Sequence, residues 1–387
     1  MKEFFRFIYE KLYYYFTYTD KFLWLMIIGL NTLSLLLIAS MQRAGEYNFL
    51  KMQVTALVIG FVGAIVISCI DYGYLEKFWW TAALFGFGLI FIVFAFGIRI
   101  EGTDDMAWIS IGEYSLQPSE IVKMCFIITL SAHLSYLTKS NKIKSFWNVC
   151  LLAIHGVIPV VLIHFQGDDG SALIFALIFI IMTFSAGVQI RYYVLSILAI
   201  VMAAPFVWTS VMNDDQRNRV LVLMNLDENP KSVYGWQQYQ GKLSITAGGY
   251  TGEGLFNGQR VGYGIVPEQE NDFIFTVAGE ELGFIGCCFI LALFLVMLLR
   301  IFYKSASARD EFGQNLCIGV FSLVISQVAV NIGMVLGFLP VVGVTLPFFS
   351  AGGTSLMVLM LCMGIVQSVH IYSSEERLII KRNKREL

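Results

Sequence analysis

An acid placed where water meets lipid is the residue in this chain best suited to chemistry, and Asp272 holds such a place. It lies between a glycine-rich, charged run, Gly248 to Glu270, and a long apolar run that opens at Phe273. Acids at a membrane edge are costly to keep and are functional candidates for that reason. A carboxylate there has the chemistry of a general base. Asp is also a strong N-cap, and the sequence leaves cap and catalyst equally open. The roles are compatible, because a helix N-terminus favours the ionised form. Glu280 and Glu281 lie roughly two to three turns deeper and need partners, which the polar residues of the last apolar runs are expected to supply.

Two further segments carry polar groups. In GTDDMAWISIGEYSLQPSEIVK, Pro118 suits the first turn of a helix, and Glu120 then sits near its N-terminus. Lys123 follows three residues on, so the two can pair. Either the pair is a well-capped, self-neutralised helix start, or Lys123 is a cation held near an anionic lipid headgroup. Trp108 reads as an interfacial aromatic or as a sugar-stacking wall. The turn HFQGDDGSA places Asp168 beside Asp169, a solvated turn or two ligands for a divalent cation.

Arg217, Arg219, Lys231 and Lys242 precede the glycine-rich run. They solvate a loop, or they supply the several cations that a lipid pyrophosphate needs for charge-assisted hydrogen bonds. Gly248, Gly249, Gly252, Gly254 and Gly258 follow no strand pattern and open no βαβ unit, which excludes a nucleotide-binding loop. Close backbone approach to a ligand or a tight re-entrant fold accounts for them.

The elements that position these residues are membrane spans. The chain is 57% hydrophobic and 14% charged, where a soluble domain carries roughly 25% charge. Runs of about 20 apolar residues recur ten times, near 22–41, 53–70, 78–97, 119–137, 147–164, 170–188, 192–210, 272–299, 313–338 and 351–373. No cleavage site follows the first, so it reads as a retained helix. Most of the 26 basic residues fall in the N-terminus (1–21), the loops on its side and the tail (374–387), which places both termini in the cytoplasm. The two long outer segments are then about 98–118 and 211–271, the larger one between spans seven and eight. The expectation is an all-α integral membrane protein with a polytopic domain over 22–373. There is no basic stripe for nucleic acid. The seven cysteines and four histidines lack metal-ligand spacing, so no protein-built metal site is expected.

These blocks resemble the SEDS family (shape, elongation, division and sporulation), the integral-membrane peptidoglycan polymerases. One block is Trp108-Ile109 with Gln117-Pro118-Ser119-Glu120 and Lys123. A second is Gln237 and Gln240 with Gly248-Gly249, Gly252, Gly254, Gly258 and Gln259. The most diagnostic is Pro267-Glu268, Asp272-Phe273-Ile274-Phe275 and Glu280-Glu281-Leu282-Gly283. The last is Asn331-Ile332-Gly333-Met334, Leu339-Pro340, Leu346-Pro347-Phe348 and Ser350-Ala351-Gly352-Gly353. The turn from Leu339 to Val344 and the ending Gly364 to His370 are similar to the RodA, elongation-type branch. Three positions depart from the family pattern: Ala107, Gly167 and Ala351.

The resemblance implies an inverting glycosyltransferase that polymerises lipid II on undecaprenyl pyrophosphate at the outer face of the plasma membrane. Asp272 is then the catalytic residue. Trp108, Glu120, Lys123, Arg217, Arg219, Gln237, Gln240, Lys242, Gly248, Gly249, Gln259 and Glu268 are the substrate-binding candidates. It also implies a class B penicillin-binding protein and elongation-complex membrane proteins as partners, with a divalent cation (Mg or Mn) as the candidate cofactor. A lipid II flippase, or a non-catalytic scaffold for the penicillin-binding protein, would use the same polar loops.

Overall fold

The computed structural model describes residue 13 and residues 15–42, 49–98, 106–112, 114–224 and 235–386. Lys231, and parts of the N-terminus and of both long outer segments, lie outside the described residues. Seven apolar helices come first: α1 (Lys21–Met41), α2 (Phe49–Ser68), α3 (Trp79–Phe96), α4 (Pro118–Lys139), α5 (Phe146–His164), α6 (Asp169–Ser185) and α7 (Ile190–Phe206). The long segment between α7 and the next apolar helix carries α8 (Asp214–Met224), α9 (Trp236–Gly248) and a one-turn helix, Gln259–Gly262. Three long helices close the chain: α10 (Ile274–Ala306), α11 (Glu311–Val335) and α12 (Gly353–Glu386).

Among the described residues nine helices are long and apolar enough to cross a membrane. The tenth expected span is α6, with 17 residues. At 1.5 Å per residue it reaches about 26 Å, short of a hydrocarbon core of about 30 Å. It tolerates this because it packs on α5, α4 and α11 rather than facing lipid alone. An even number of crossings puts the start of α1 and the apolar end of α12 at one end of the bundle. That end is tied by Arg300 Nε donating to Asp20 Oδ2 at 2.7 Å and Arg309 Nη2 donating to Asp71 Oδ1 at 2.9 Å.

The centre is α11, flanked by α10, α4, α6 and α12, while α2 lies along α12. α7 is the exception. It contains no buried residue, and neither does the π-helical turn Val207–Val211 that extends it. Its apolar surface is therefore left to lipid.

The segment between α3 and α4 is not a plain loop. Strands β1 (Ile109–Ile111) and β2 (Tyr114–Leu116) pair antiparallel, with Ile109 opposite Leu116. Pro118 occupies the first turn of α4, as its fixed φ and missing N–H favour.

Candidate active site

The site is built where α10 begins. Its N-cap is Phe273, with no side-chain cap, so Asp272 does not cap the helix. Asp272 instead ends a tight turn in which the Phe273 and Asn271 amides both donate to Glu268 O, at 3.1 Å each. Glu268 adopts φ 54° to make that turn, and its exposed carboxylate accepts from Asn271 Nδ2 at 2.8 Å.

The turn is held from the last turns of α11 and from the loop between α11 and α12. Asn331 Nδ2, fully buried, donates to Asp272 O at 2.8 Å and to Val344 O at 2.7 Å. Ser350 Oγ donates to Asn271 O at 2.6 Å, and Ala351 N donates to Glu270 O at 2.8 Å. Gly343 lies beside the carboxylate: a Cβ placed there would be 3.6 Å from Asp272 Oδ2. Three backbone carbonyls in a row, of Glu270, Asn271 and Asp272, are thus fixed.

Its electrostatics reverse the sequence expectation that a helix end keeps the acid ionised. Burial first, then the charges of Glu268, Asp168 and Glu270, push the Asp272 carboxyl up from 3.8 to about 7. Glu270 is raised too, by burial and by Glu268. One partial helix dipole does not outweigh desolvation plus three neighbouring acids.

Asp168 joins this cluster through its own scaffold. It caps α6 through Ser171 N at 2.8 Å and accepts at Oδ2 from Gln117 Nε2 and Ser119 Oγ, at 2.9 and 3.0 Å. It therefore ties the start of α4 to the start of α6, and it is buried rather than a solvated turn. Asp169 points elsewhere, to His164 Nδ1 at 2.5 Å and Gln216 Nε2 at 2.6 Å. The two adjacent acids do not converge on one ion. The described residues include no group of three acidic, His or Cys side chains placed to hold a metal.

The glycine-rich run proves to be structural. α10 is broken at Gly283, whose φ of 66° and ψ of −168° only glycine adopts without strain. α9 and the following loop pack backbone to backbone against that break. Gly252 and Gly248 would place a Cβ 2.1 Å from Glu281 O and 2.0 Å from Gly279 O. The break leaves backbone groups that the loop satisfies: Phe284 N donates to Gly249 O at 2.9 Å, and Gly254 N to Glu281 O at 3.0 Å. Gly248 and Gly249 thus take part in this backbone packing, Gly248 by close approach and Gly249 through its carbonyl. The helix after Gly283 is long enough to span by itself, so Glu280 and Glu281 sit on a short half-helix.

The partners of those two acids are also not where the sequence suggested. Glu280 Oε1 accepts from Arg260 N at 2.7 Å and Val261 N at 3.1 Å. Glu281 accepts from Ser40 Oγ on α1. The outer loop and the first span supply them, not the last spans.

The remaining candidates divide. Arg219 reaches the loop that follows α11, with Nη1 3.5 Å from Val341 O. Arg217 is spent on the turn below it, donating to Trp208 O, Thr209 O and Asp214 Oδ1 at 2.7, 3.0 and 3.1 Å. Lys123 Nζ is buried and paired with Glu120 Oε1 at 2.7 Å, the self-neutralised helix start. Trp108 is partly buried and its carbonyl accepts from Ile98 N at 2.8 Å. Gln237 and Lys242 are partly buried on α9, and Gln259 is exposed.

Four residues outside the sequence-based candidates matter here: Asn331, Ser350, Gln238 and Arg260. Gln238 Nε2 donates to Met334 O at 2.8 Å and Leu339 O at 2.7 Å, locking α9 to the end of α11. Arg260 Nη2 donates to Gln240 Oε1 at 2.5 Å and its Nε to Ser244 Oγ at 2.9 Å. Arg260 has no acidic salt-bridge partner among the described residues, so its charge is available. Asn331 and Ser350 were visible as motif residues, but nothing in their spacing revealed which carbonyls they hold.

A broken helix, a glycine-rich loop packed on the break and an acid cluster at one end of a multi-pass bundle are features of a polytopic membrane protein. The chain belongs to the cell cycle protein family FTSW_RODA_SPOVE, whose pattern matches residues 17–375. It is 30% identical over 355 residues to the "Peptidoglycan glycosyltransferase MrdB" of Escherichia coli K12, covering 91% of this chain and 94% of that protein. It is 36% identical over 328 residues to a "Probable peptidoglycan glycosyltransferase FtsW" of Geobacter sulfurreducens, covering 84% and 85%. A solved structure described as "Structural coordination of polymerization and crosslinking by a peptidoglycan synthase complex" matches with a TM-score of 0.78 at 25% identity, over 92% of this chain and 98% of that one.

Proposed function

We propose that this chain polymerises lipid II into β-1,4 glycan strands, with Asp272 as the general base. The growing glycan on undecaprenyl pyrophosphate is the donor, and the next lipid-linked disaccharide is the acceptor. The acceptor 4-hydroxyl attacks C1 of the donor sugar with inversion. Its proton passes to Asp272, and pyrophosphate leaves with the C1–O bonding pair. The observation that carries this reading is the Asp272 carboxyl itself, fixed by its backbone and pushed up to about 7. A base poised near the working pH is the most effective one.

Arg219 and Arg260 are the cations suited to the leaving pyrophosphate, since Lys123 is committed to Glu120. The described residues do not build a metal site, so no step is assigned to Mg or Mn; a divalent ion would arrive on the pyrophosphate oxygens. Both termini lie in the cytoplasm and the Asp272 end faces outward, a reading supported by the distribution of Lys and Arg.

The partner is a class B penicillin-binding protein, together with elongation-complex membrane proteins. The relation to a complex that couples polymerisation to crosslinking supports the first. The turn from Leu339 to Val344 supports elongation use. A flippase forms and breaks no glycosidic bond and needs no base at this place. A scaffold would need no base at all. The deciding experiment adds purified protein to lipid II, alone and with the penicillin-binding protein, and looks for glycan chains. Leaflet exchange without chains would establish the flippase, and neither activity the scaffold.

A further inference from the structure

The end of the bundle opposite Asp272 holds an open cavity of about 560 Å³ between the start of α1, the end of α10 and the apolar end of α12. Among the described residues its wall carries Lys21, Arg300 and Lys304, several hydroxyl side chains, His370, and one acid, Asp20. Asp20 is already fully used. Its Oδ1 caps α1 through Phe22 N and Leu23 N at 3.1 Å each, and its Oδ2 meets Arg300 Nε at 2.7 Å and Lys304 Nζ at 2.5 Å. Lys304 Nζ also lies 3.2 Å from His370 Nε2. Three cations against one carboxylate leave the cavity wall with excess positive charge.

The cations are also held in place. The Arg300 guanidinium sits over the rings of Phe22 and Tyr303, 5.6 and 5.8 Å from their centroids. Both rings are themselves exposed, at 44% and 59%. Arg300 Nη2 also donates to Asp20 Oδ1 at 3.3 Å, so its Nη1, beside Lys21, is the donor left for a phosphate oxygen. Exposed aromatics at the ends of spanning helices mark headgroup depth. Basic pockets between helices at that depth take anionic headgroups.

We propose that this cavity binds the phosphate of an anionic glycerophospholipid in the leaflet opposite the Asp272 site. The phosphodiester oxygens accept from Lys21 and Arg300, and the glycerol and upper acyl carbons lie along Phe22 and Tyr303. Soluble phosphate shares the headgroup chemistry but lacks the apolar part that those two rings would cover. The inference does not depend on which reaction Asp272 performs.

The test uses the full-length protein in nanodiscs of phosphatidylcholine with graded phosphatidylglycerol, read by native mass spectrometry of retained lipid and by thermal unfolding. Each cation is worth about fivefold in preference for the anionic lipid, so the wild type should favour phosphatidylglycerol by more than about tenfold. Lys21→Gln touches none of the Asp20 pairs, and Arg300→Gln leaves Asp20 held by Lys304, so both variants should fold. Each should lose about fivefold of that preference. Lys144→Gln, exposed on the same face outside the cavity, should lose none. Equal retention of both lipids, unchanged preference in the two cavity variants, or an equal loss in Lys144→Gln would overturn the site. Protection by inorganic phosphate at constant ionic strength, with no lipid preference, would overturn the lipid assignment.

Discussion

Replacing Asp272 by Asn should separate chemistry from stability, because the structure gives the two effects opposite signs. The Asp272 carboxyl is pushed from 3.8 to about 7 by burial and by Glu268, Asp168 and Glu270. About three pH units at about 1.4 kcal/mol each make the ionised form cost the folded state about 4 kcal/mol. Below pH 4 both folded and unfolded states are protonated and the cost is absent. Between pH 4 and 7 the unfolded chain ionises first, so wild-type stability falls as pH rises, and above 7 the full cost is present. Asp272→Asn carries no charge and breaks no cap, since Phe273 is the N-cap. The variant should therefore match the wild type near pH 4 and exceed it by up to about 4 kcal/mol near pH 8, with salt reducing the share due to exposed Glu268. Lipid II polymerisation should meanwhile fall by about two orders of magnitude or more, the worth of a general base. Wild-type activity should rise with pH through about 7, as the base must be deprotonated. The assays are thermal unfolding in detergent across pH and glycan chain formation by the same preparations. Near-normal chains from the variant, or a stability difference independent of pH, would refute the reasoning.

Asn331→Ala removes the donor from two buried carbonyls, a loss of about 1–3 kcal/mol for each unsatisfied group. It should lower kcat while leaving KM for lipid II nearly unchanged and shift the pH midpoint of activity; an unchanged midpoint would make Asn331 merely structural. Gly283→Ala puts a Cβ 2.2 Å from Gly252 N at a φ of 66°, so the monodisperse yield from membranes should collapse. Glu120→Gln or Lys123→Met alone leaves one buried charge unpaired, costing about 3–5 kcal/mol, and the double change should cost less than either. Equal melting losses in all three variants would deny the coupling. A reporter after Leu387 should be active only inside the cell and one inserted near Glu228 only outside, and the reverse pattern would invert the orientation.

What the sequence determined by itself was whatever depends on local composition and short spacing. Runs of apolar residues must leave water, so the helical spans were legible, as was the helix start at Pro118 with the i, i+3 pair Glu120 and Lys123. Asp272 was legible as an acid at the edge of an apolar run. The short α6 and the break at Gly283 were not, because an apolar run carries no mark of where neighbouring helices will support a shorter or bent one. Only the tertiary structure decided that Asp272 is no cap and that Asp168, more than a hundred positions earlier, shares its field. It also decided that Gly248 and Gly252 serve backbone packing and that Asn331 holds the Asp272 turn. The physical reason is common to all of these. Desolvation, like-charge repulsion and the satisfaction of orphan backbone groups are set by what lies within a few ångströms in space, and in a helical bundle those neighbours come from distant parts of the chain.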